Sequence, residues 1–146
     1  MYKSILVLAL VIFFSNCTPE DRQPIKITVE GKNGMNIVKD VEFNVDPILY
    51  DSLKMKREDI YTIAKTSLLY SKWNVKNKLT YEFEPPENSL NFITIKDTTI
   101  KVSIKGVASN SFGVPGSVTT LVHFNPKDLS PVSDKDGLLR IISLSF

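Results

Sequence analysis

The side chains that could carry chemistry are few, because the chain has one cysteine, Cys17, and one histidine, His123. His123 stands in an alternating apolar and polar run, and the alternation places it with Leu121 on the outward face of a predicted strand. A Ser-His-Asp triad would need this histidine as general base, but the sequence contains no Gly-x-Ser-x-Gly elbow. We therefore expect an exposed strand histidine, with a hydrolase that uses His123 as the alternative.

Acidic residues do not complete a catalytic or metal site in the sequence. Glu82 and Glu84 lie on one side of a single extended segment, whereas glycosidase carboxylates face each other across a cleft. The run Asp134–Gly137 imitates part of a calcium loop, but Val132 and Ser143 occupy the first and closing ligand positions. We predict a solvated strand edge and a turn at these places, and no catalytic residue, metal or other cofactor.

Cys17 follows a short apolar segment at the start of the chain. Ile5–Phe14 is ten apolar residues with Lys3 ahead of it, about half of the roughly 20 residues that a membrane-spanning helix needs. This length predicts a cleaved export signal rather than a permanent span. One alternative is an ordinary secretory signal that leaves Cys17 as a free thiol.

The order apolar segment, Ser15, Asn16, Cys17 resembles the signal peptide of bacterial lipoproteins. The resemblance implies that residues 1–16 are removed and that Cys17 becomes the acylated first residue of the mature chain. Several acyl chains on one cysteine are enough for stable membrane anchoring. Residues 17–24 are polar and interrupted by proline, so we interpret them as a lipidated tether.

The acidic pair Glu20-Asp21 is similar to the surface-export signal of Bacteroidota lipoproteins, although a solvated tether explains the pair as well. The resemblance implies an outer-membrane protein on the periplasmic or the surface-exposed face. The net charge is +2 at pH 7, with both signs interspersed, and this excludes the basic footprint of a nucleic-acid-binding protein. The length of residues 25–146 fits a single domain whose partners are the bilayer and a protein or glycan.

Two patterns open this domain. Ile25–Glu30 alternates with period two and ends at a glycine-containing turn, and Asn36–Val45 can return antiparallel to form an N-terminal hairpin of unassigned placement. From Arg57 onward the spacing of apolar residues becomes helical. The residues predicted for the apolar face are Ile60, Ile63, Ala64, Leu68, Val75 and Leu79. Trp73 and Asn74 offer an earlier end to this helix.

The remainder of the chain alternates with period two. It predicts strands near residues 92–95, 100–108, 117–124 and 138–146. We therefore predict an α+β fold: one long amphipathic helix packed on an antiparallel sheet of about four strands, preceded by the hairpin. This layout resembles the cystatin architecture, which implies a protease inhibitor as an alternative function.

Gly106–Gly116 is the most distinctive interior stretch. Asn110 and Gly113 tolerate positive φ, Pro115-Gly116 suits a type II turn, and Phe112 is predicted to plug the corner. The Asn-Ser-Phe-Gly sequence is similar to that of small exported bacterial α+β domains, often lipoproteins, from which no activity can be carried over. If the loop binds a partner, its candidate residues are Asn110, Phe112 and Val114.

Aromatic residues gather around the predicted helix. They are Tyr50, Tyr61, Tyr70, Trp73 and Tyr81. Covering the edge of the core explains them, and a shared exposed patch would instead indicate a binding surface. We expect a non-enzymatic envelope lipoprotein with a binding or scaffolding domain.

Overall fold

The structure is a computed structural model that describes residues 22–30, 38–75, 79–84, 91–132 and 140–145. Two strands precede two helices, and five strands follow them. In chain order these are β1 (Ile25–Glu30), β2 (Val38–Val45), α1 (Pro47–Asp51), α2 (Arg57–Asn74), β3 (Glu82–Phe83), β4 (Asn91–Lys96), β5 (Thr99–Ser109), β6 (Pro115–Phe124) and β7 (Arg140–Ser145).

All of these strands belong to one mixed sheet. Its order is β1-β2-β4-β5-β6-β7, and β3 pairs with the part of β5 that extends beyond β4. Every pairing is antiparallel except that of β2 with β4, where Phe43 lies beside Asn91 and Val45 beside Ile93 in parallel register. Because β2 and β4 run in the same direction, the intervening chain must cross over, and it contains both helices.

The α+β class is confirmed, but the count of one helix and four antiparallel strands is not. The predicted N-terminal hairpin exists, and it extends the same sheet through the parallel pairing of β2 with β4. The additional helix is α1. Asp46-Pro47 was predicted only to end the preceding strand. Asp46 in fact caps α1 by accepting a 3.0 Å hydrogen bond from the Ile48 amide, and Pro47 is the first residue of the helix.

Helix α2 places one side against the sheet. Ile60, Ile63, Ala64 and Leu68 are buried there, as their helical spacing predicts. The helix ends at Asn74, the earlier of the two predicted ends, because Val75 turns to an extended conformation at φ −70° and ψ 132°. Leu79 therefore does not belong to the helix, and it is 85% exposed.

Alternation along β5 and β6 divides the sheet into two faces, although Leu121, predicted on the outward face with His123, is only 7% exposed. The side chains that face α2 are buried and form most of the core: Ile100, Val102, Ile104, Val118, Val122 and Phe124. The opposite face carries Lys101, Ser103 and Lys105, as predicted. This division gives the sheet one face under the helix and one largely polar face.

Asn91 joins three strands at the point where β4 begins. Its side chain is fully buried, donates to the Glu42 carbonyl of β2 at 3.0 Å, and accepts from the Lys105 amide of β5 at 2.8 Å. The Lys105 amide lies between the parts of β5 that pair with β3 and with β4. The Asn91 side chain therefore provides a hydrogen-bond acceptor for the Lys105 amide, which pairs with neither β3 nor β4.

Candidate functional site

The β5–β6 hairpin ends in a tight loop of residues 110–114. Strand pairing continues to Ser109 and Pro115, after which the Asn110 amide donates to the Val114 carbonyl at 2.9 Å. The Gly113 amide donates to the Asn110 carbonyl at 3.0 Å, and Gly113 has φ 79°. Because Asn110 pairs with Val114, residues 111–113 form a three-residue hairpin loop, a common type that closes on a residue in the left-handed region, here Gly113.

The side chain of Asn110 fixes this loop from within. Its Oδ1 accepts hydrogen bonds from the Phe112 amide at 2.9 Å and from the Val114 amide at 3.0 Å. Phe112 is nevertheless 88% exposed and Val114 50% exposed. The hairpin tip thus presents two apolar side chains to solvent on a backbone held by four hydrogen bonds.

Two details of the predicted loop are wrong. Pro115 and Gly116 lie in β6 rather than in a type II turn, because Gly113 has already completed the reversal. Phe112 does not plug the corner. The space under the hairpin is occupied by a small apolar cluster of Val75, Tyr81, Ala108 and Val118, which leaves Phe112 outside the core.

The same cluster joins the hairpin to the C-terminal end of α2. Val75 follows the helix directly, and the Ser109 amide donates to Thr80 Oγ1 at 2.9 Å. Four of the exposed apolar side chains lie on the segments that this cluster joins. This region, which we call the apolar end, consists of Trp73 at 68% exposure, Leu79, Phe112 and Val114.

A buried chain of hydroxyl groups supports the apolar end. Ser71 Oγ of α2 lies 2.7 Å from the Tyr81 hydroxyl and 2.8 Å from Thr120 Oγ1 of β6. Burial raises the pKa of Tyr81, and the hydrogen bonds with Ser71 and Thr120 oppose this only in part. Because these groups are buried and mutually bonded, their arrangement favours a structural role over contact with a substrate.

His123 contacts a threonine side chain and a backbone amide of the neighbouring segments. Its Nδ1 lies 3.2 Å from Thr99 Oγ1, and its carbonyl accepts from the Val132 amide at 2.8 Å. It is half-buried beside Lys101 on the outward face, as the alternation predicts. An open depression nearby is lined by Thr99 and Val132 among others, but His123 is not part of its lining.

Among the residues that the structure describes, the acidic candidates do not converge on a metal site. Glu84 accepts a 3.4 Å hydrogen bond from Ser117 Oγ and Glu82 lies in β3, so both belong to the same strand edge. Within the described residues, no three histidine, cysteine, aspartate or glutamate side chains are grouped to hold a metal ion. Cys17 and Asp134–Gly137 lie outside the described residues.

The predicted aromatic group divides between core and surface. Tyr50 and Tyr81 are buried, Tyr70 is half-buried, and Tyr61 and Trp73 are exposed. Tyr61 and Trp73 are twelve residues apart on α2, which corresponds to about 18 Å along the helix axis. They therefore do not form one compact aromatic patch.

The chain enters the domain at the opposite end of α2 from the apolar end. Arg57, the first residue of α2, donates to the Gln23 carbonyl at 2.9 Å and to the Pro24 carbonyl at 3.2 Å. Arg22 forms a 3.1 Å ion pair with Asp51 of α1. Sequence patterns do not reveal these contacts, because a side chain that binds distant backbone carbonyls produces no periodic signal.

Across the parts of the chain that the structure describes, neither helix is long and apolar enough to cross a membrane. No protein family model matches the chain, and neither a curated protein nor a solved structure matches it.

Proposed function

We propose that this protein is a non-enzymatic binding or scaffolding domain, anchored to the outer membrane through acylated Cys17, with the tip of the β5–β6 hairpin as its contact site. The observation that carries the proposal is Phe112, which is 88% exposed on a loop whose amides are bonded to Asn110. Its partner is a protein or glycan of the cell envelope. Nothing in this proposal requires a cofactor.

The fixed loop makes Phe112 a suitable anchor for a partner. Binding normally costs free energy because side chains and loops must be ordered, and a loop that is already ordered avoids much of this cost. Large aromatic side chains supply most of the affinity in many interfaces, because they bury much apolar area with little loss of rotamer freedom. Val114, half exposed beside Phe112, extends the apolar contact.

The position of the tether agrees with this assignment. Arg57 holds the entering chain at one end of α2, whereas the hairpin lies at the other end. A membrane anchor at Cys17 would restrain the first end and leave Phe112 accessible to a partner. The lipoprotein-like signal at Cys17 supplies the anchor in this proposal.

Site-specific cross-linking in intact cells tests the proposal. A photo-reactive phenylalanine analogue at position 112 is expected to form adducts with a discrete partner, whereas the same analogue at exposed Lys127 is not. Cys17→Ala in the first protein should abolish the adducts, because the anchor is lost. Equal labelling from positions 112 and 127 would contradict the assignment of the hairpin as the contact site.

A protease inhibitor is the second candidate, and the exposed apolar hairpin with Phe112 and Val114 is the observation that favours it. The sheet departs from the all-antiparallel cystatin-like layout, since β2 pairs with β4 in parallel. An inhibitor should abolish the activity of a target protease, and Phe112→Ala should restore it. Full activity of envelope proteases at saturating concentrations of the protein would eliminate this candidate.

A further inference from the structure

The solvent-facing side of α2 carries a row of large residues at four-residue intervals. These are Tyr61, Lys65, Leu69 and Trp73, all exposed, and exposed Lys72 lies beside them. Side chains four residues apart form a continuous ridge on a helix surface. Leu69 and Trp73 are 57% and 68% exposed, so this side of α2 is not the polar surface that a helix turned wholly toward water would have.

The composition of this ridge matches a lipid–water interface. Tryptophan and tyrosine are enriched at that interface, because their rings have an apolar body and a polar edge. Lysine side chains can bury their methylene stems at this depth while the ammonium group stays among the lipid headgroups. Lys65 and Lys72 complement anionic lipids, and Glu58 in the first turn is the exposed acidic residue of this helix.

The tether places the same ridge within reach of the membrane. Gln23 and Pro24 line a depression together with Arg57 and Tyr61, so the chain enters the domain beside the first residue of the ridge. Cys17 and Gln23 are six positions apart, which gives a span of at most about 20 Å. The distance along α2 from Arg57 to Trp73 is about 24 Å, slightly more than the tether can span.

These two lengths exclude an upright α2 with its C-terminal end on the lipid, and the exposed Leu69 and Trp73 favour a flat α2 over an upright one that stands on Arg57. If the apolar end pointed at the bilayer with α2 upright, Gln23 would stand about 24 Å above the lipid surface, beyond the reach of the tether. If α2 lies flat on the surface, both Gln23 and Trp73 are close to the lipid. We infer that the ridge of Tyr61, Lys65, Leu69 and Trp73 rests on the anionic lipid surface to which Cys17 is anchored.

This inference depends on the proposed acylation of Cys17, and it adds a second membrane contact to it. With α2 against the lipid, the polar face of the sheet points away from the membrane and the hairpin tip extends sideways. Phe112 would then meet partners that lie in or near the same membrane.

Trp73 is the only tryptophan of the chain, so its fluorescence reports directly on the ridge. The mature, acylated protein can be reconstituted into vesicles of phosphatidylethanolamine and phosphatidylglycerol, with or without bromine atoms on the acyl chains. We expect the brominated lipids to reduce Trp73 emission at least about twofold, because bromine quenches only at short range and the helix would lie at the acyl-chain boundary.

Two exposed apolar positions supply the variants. Leu69→Glu removes the centre of the ridge and should abolish the quenching, whereas Phe112→Glu on the hairpin should leave it unchanged. Both side chains are exposed, so neither substitution creates a cavity. Quenching that persists in Leu69→Glu, or that is lost in Phe112→Glu, would overturn the assignment of the surface.

The result also separates this inference from the proposed function. Vesicle-bound protein that carries the acyl mass at Cys17 but shows equal Trp73 emission in both lipids would overturn the ridge contact and leave the anchor intact. Mature protein that lacks the acyl mass at Cys17 would overturn both the proposed anchor and the ridge contact. Trp73 that is protected from acrylamide in native envelopes, yet unquenched by brominated lipid, would assign the ridge to a protein partner instead.

Discussion

Tyr81 lies against Gly106 so closely that a Cβ atom on the glycine would be 2.5 Å from Tyr81 Cε2 and 2.7 Å from its hydroxyl oxygen. The aromatic ring covers the backbone of β5 where a side chain would otherwise project, and its edge meets Phe83 with ring centroids 5.2 Å apart. The Tyr81 hydroxyl can reach Ser71 because the glycine permits this approach. The contact therefore connects the sheet to the end of α2.

Gly106→Ala should destabilise the fold by about 1–3 kcal/mol, because the new methyl group must displace a buried aromatic ring. Chemical denaturation would measure the change. Tyr81→Ala in the same chain removes the clash, so the double variant should lose less stability than the two single variants together. Strict additivity would contradict the contact. Gly113→Ala is a useful comparison, since that position is open and its cost of about 1–2 kcal/mol arises from positive φ alone.

Ser71→Ala should cost about 1–3 kcal/mol, because it leaves the buried Tyr81 and Thr120 hydroxyls without their shared partner. Ser67→Ala is the matched control. Ser67 is equally buried on the same helix, but its hydroxyl donates to the Ile63 carbonyl within α2, so its loss should cost less than about 1 kcal/mol. Denaturant unfolding of both variants measures the difference, and equal losses would argue against the hydroxyl network.

Asn91→Ala should destabilise the protein by about 2–5 kcal/mol, because two backbone groups lose their buried partner. Hydrogen exchange should show faster exchange of the Lys105 amide. Asn44→Ala, on the partly exposed face of β2, is the control and should cost less than about 1 kcal/mol. An unchanged Lys105 exchange rate in Asn91→Ala would contradict the role of this side chain.

Thr98→Gly should stabilise the protein by about 0.5–1 kcal/mol. Asp97 and Thr98 form the two-residue turn between β4 and β5 with φ 47° and 68°, a conformation that strains a β-branched residue. Thermal unfolding would register the gain. Thr99→Gly serves as the control and should lower stability, since Thr99 lies in β5 and its hydroxyl donates to the Lys96 carbonyl at 3.0 Å.

Tyr81 should make the protein less stable at alkaline pH. Burial raises the pKa of Tyr81 in the folded state above the ordinary value of 10.0, so the unfolded state releases its proton first. The contribution of protonated Tyr81 to the free energy of unfolding is complete at pH values below 10.0. It is lost as the pH rises toward the pKa of Tyr81 in the folded state. Denaturation midpoints measured across this range should fall less steeply for Tyr81→Phe than for the unaltered protein, and parallel curves would contradict the assignment.

Local periodicity located most of the strands and the buried positions of α2, whereas the count of one long helix and four antiparallel strands is not confirmed. The alternation of Ile100, Val102 and Ile104 identifies the buried face of β5, since each of these side chains faces α2. Periodicity could not predict that β2 pairs with β4. That pairing depends on backbone hydrogen bonds between distant segments and on the hydrogen bonds of the Asn91 side chain. From the sequence alone, Asn91 is indistinguishable from a polar loop residue. The two residues of β3 are too few to show a period.

In the candidate loop, local sequence patterns predict the turn residues but not the exposure of Phe112. Asn110 and Gly113 were identifiable as turn residues because of their backbone preferences, and Gly113 does adopt positive φ. The exposure of Phe112 was not predictable. It depends on whether space remains beneath the hairpin, and Val75 and Tyr81, which come from earlier parts of the chain, occupy that space.

The parallel pairing of β2 with β4 also determines an order of folding. The β4–β5 and β5–β6 turns are short, so these strands can pair quickly, whereas β2 must wait for a segment 48 residues further along, as in the pairing of Phe43 with Asn91. The first hairpin is synthesised early but remains marginal alone, because an isolated two-stranded ribbon is scarcely stable in water. Until β4 arrives, Phe43 and Val45 have no sheet neighbour on that side. We therefore expect the chain to be most prone to aggregation before β4 has joined β2.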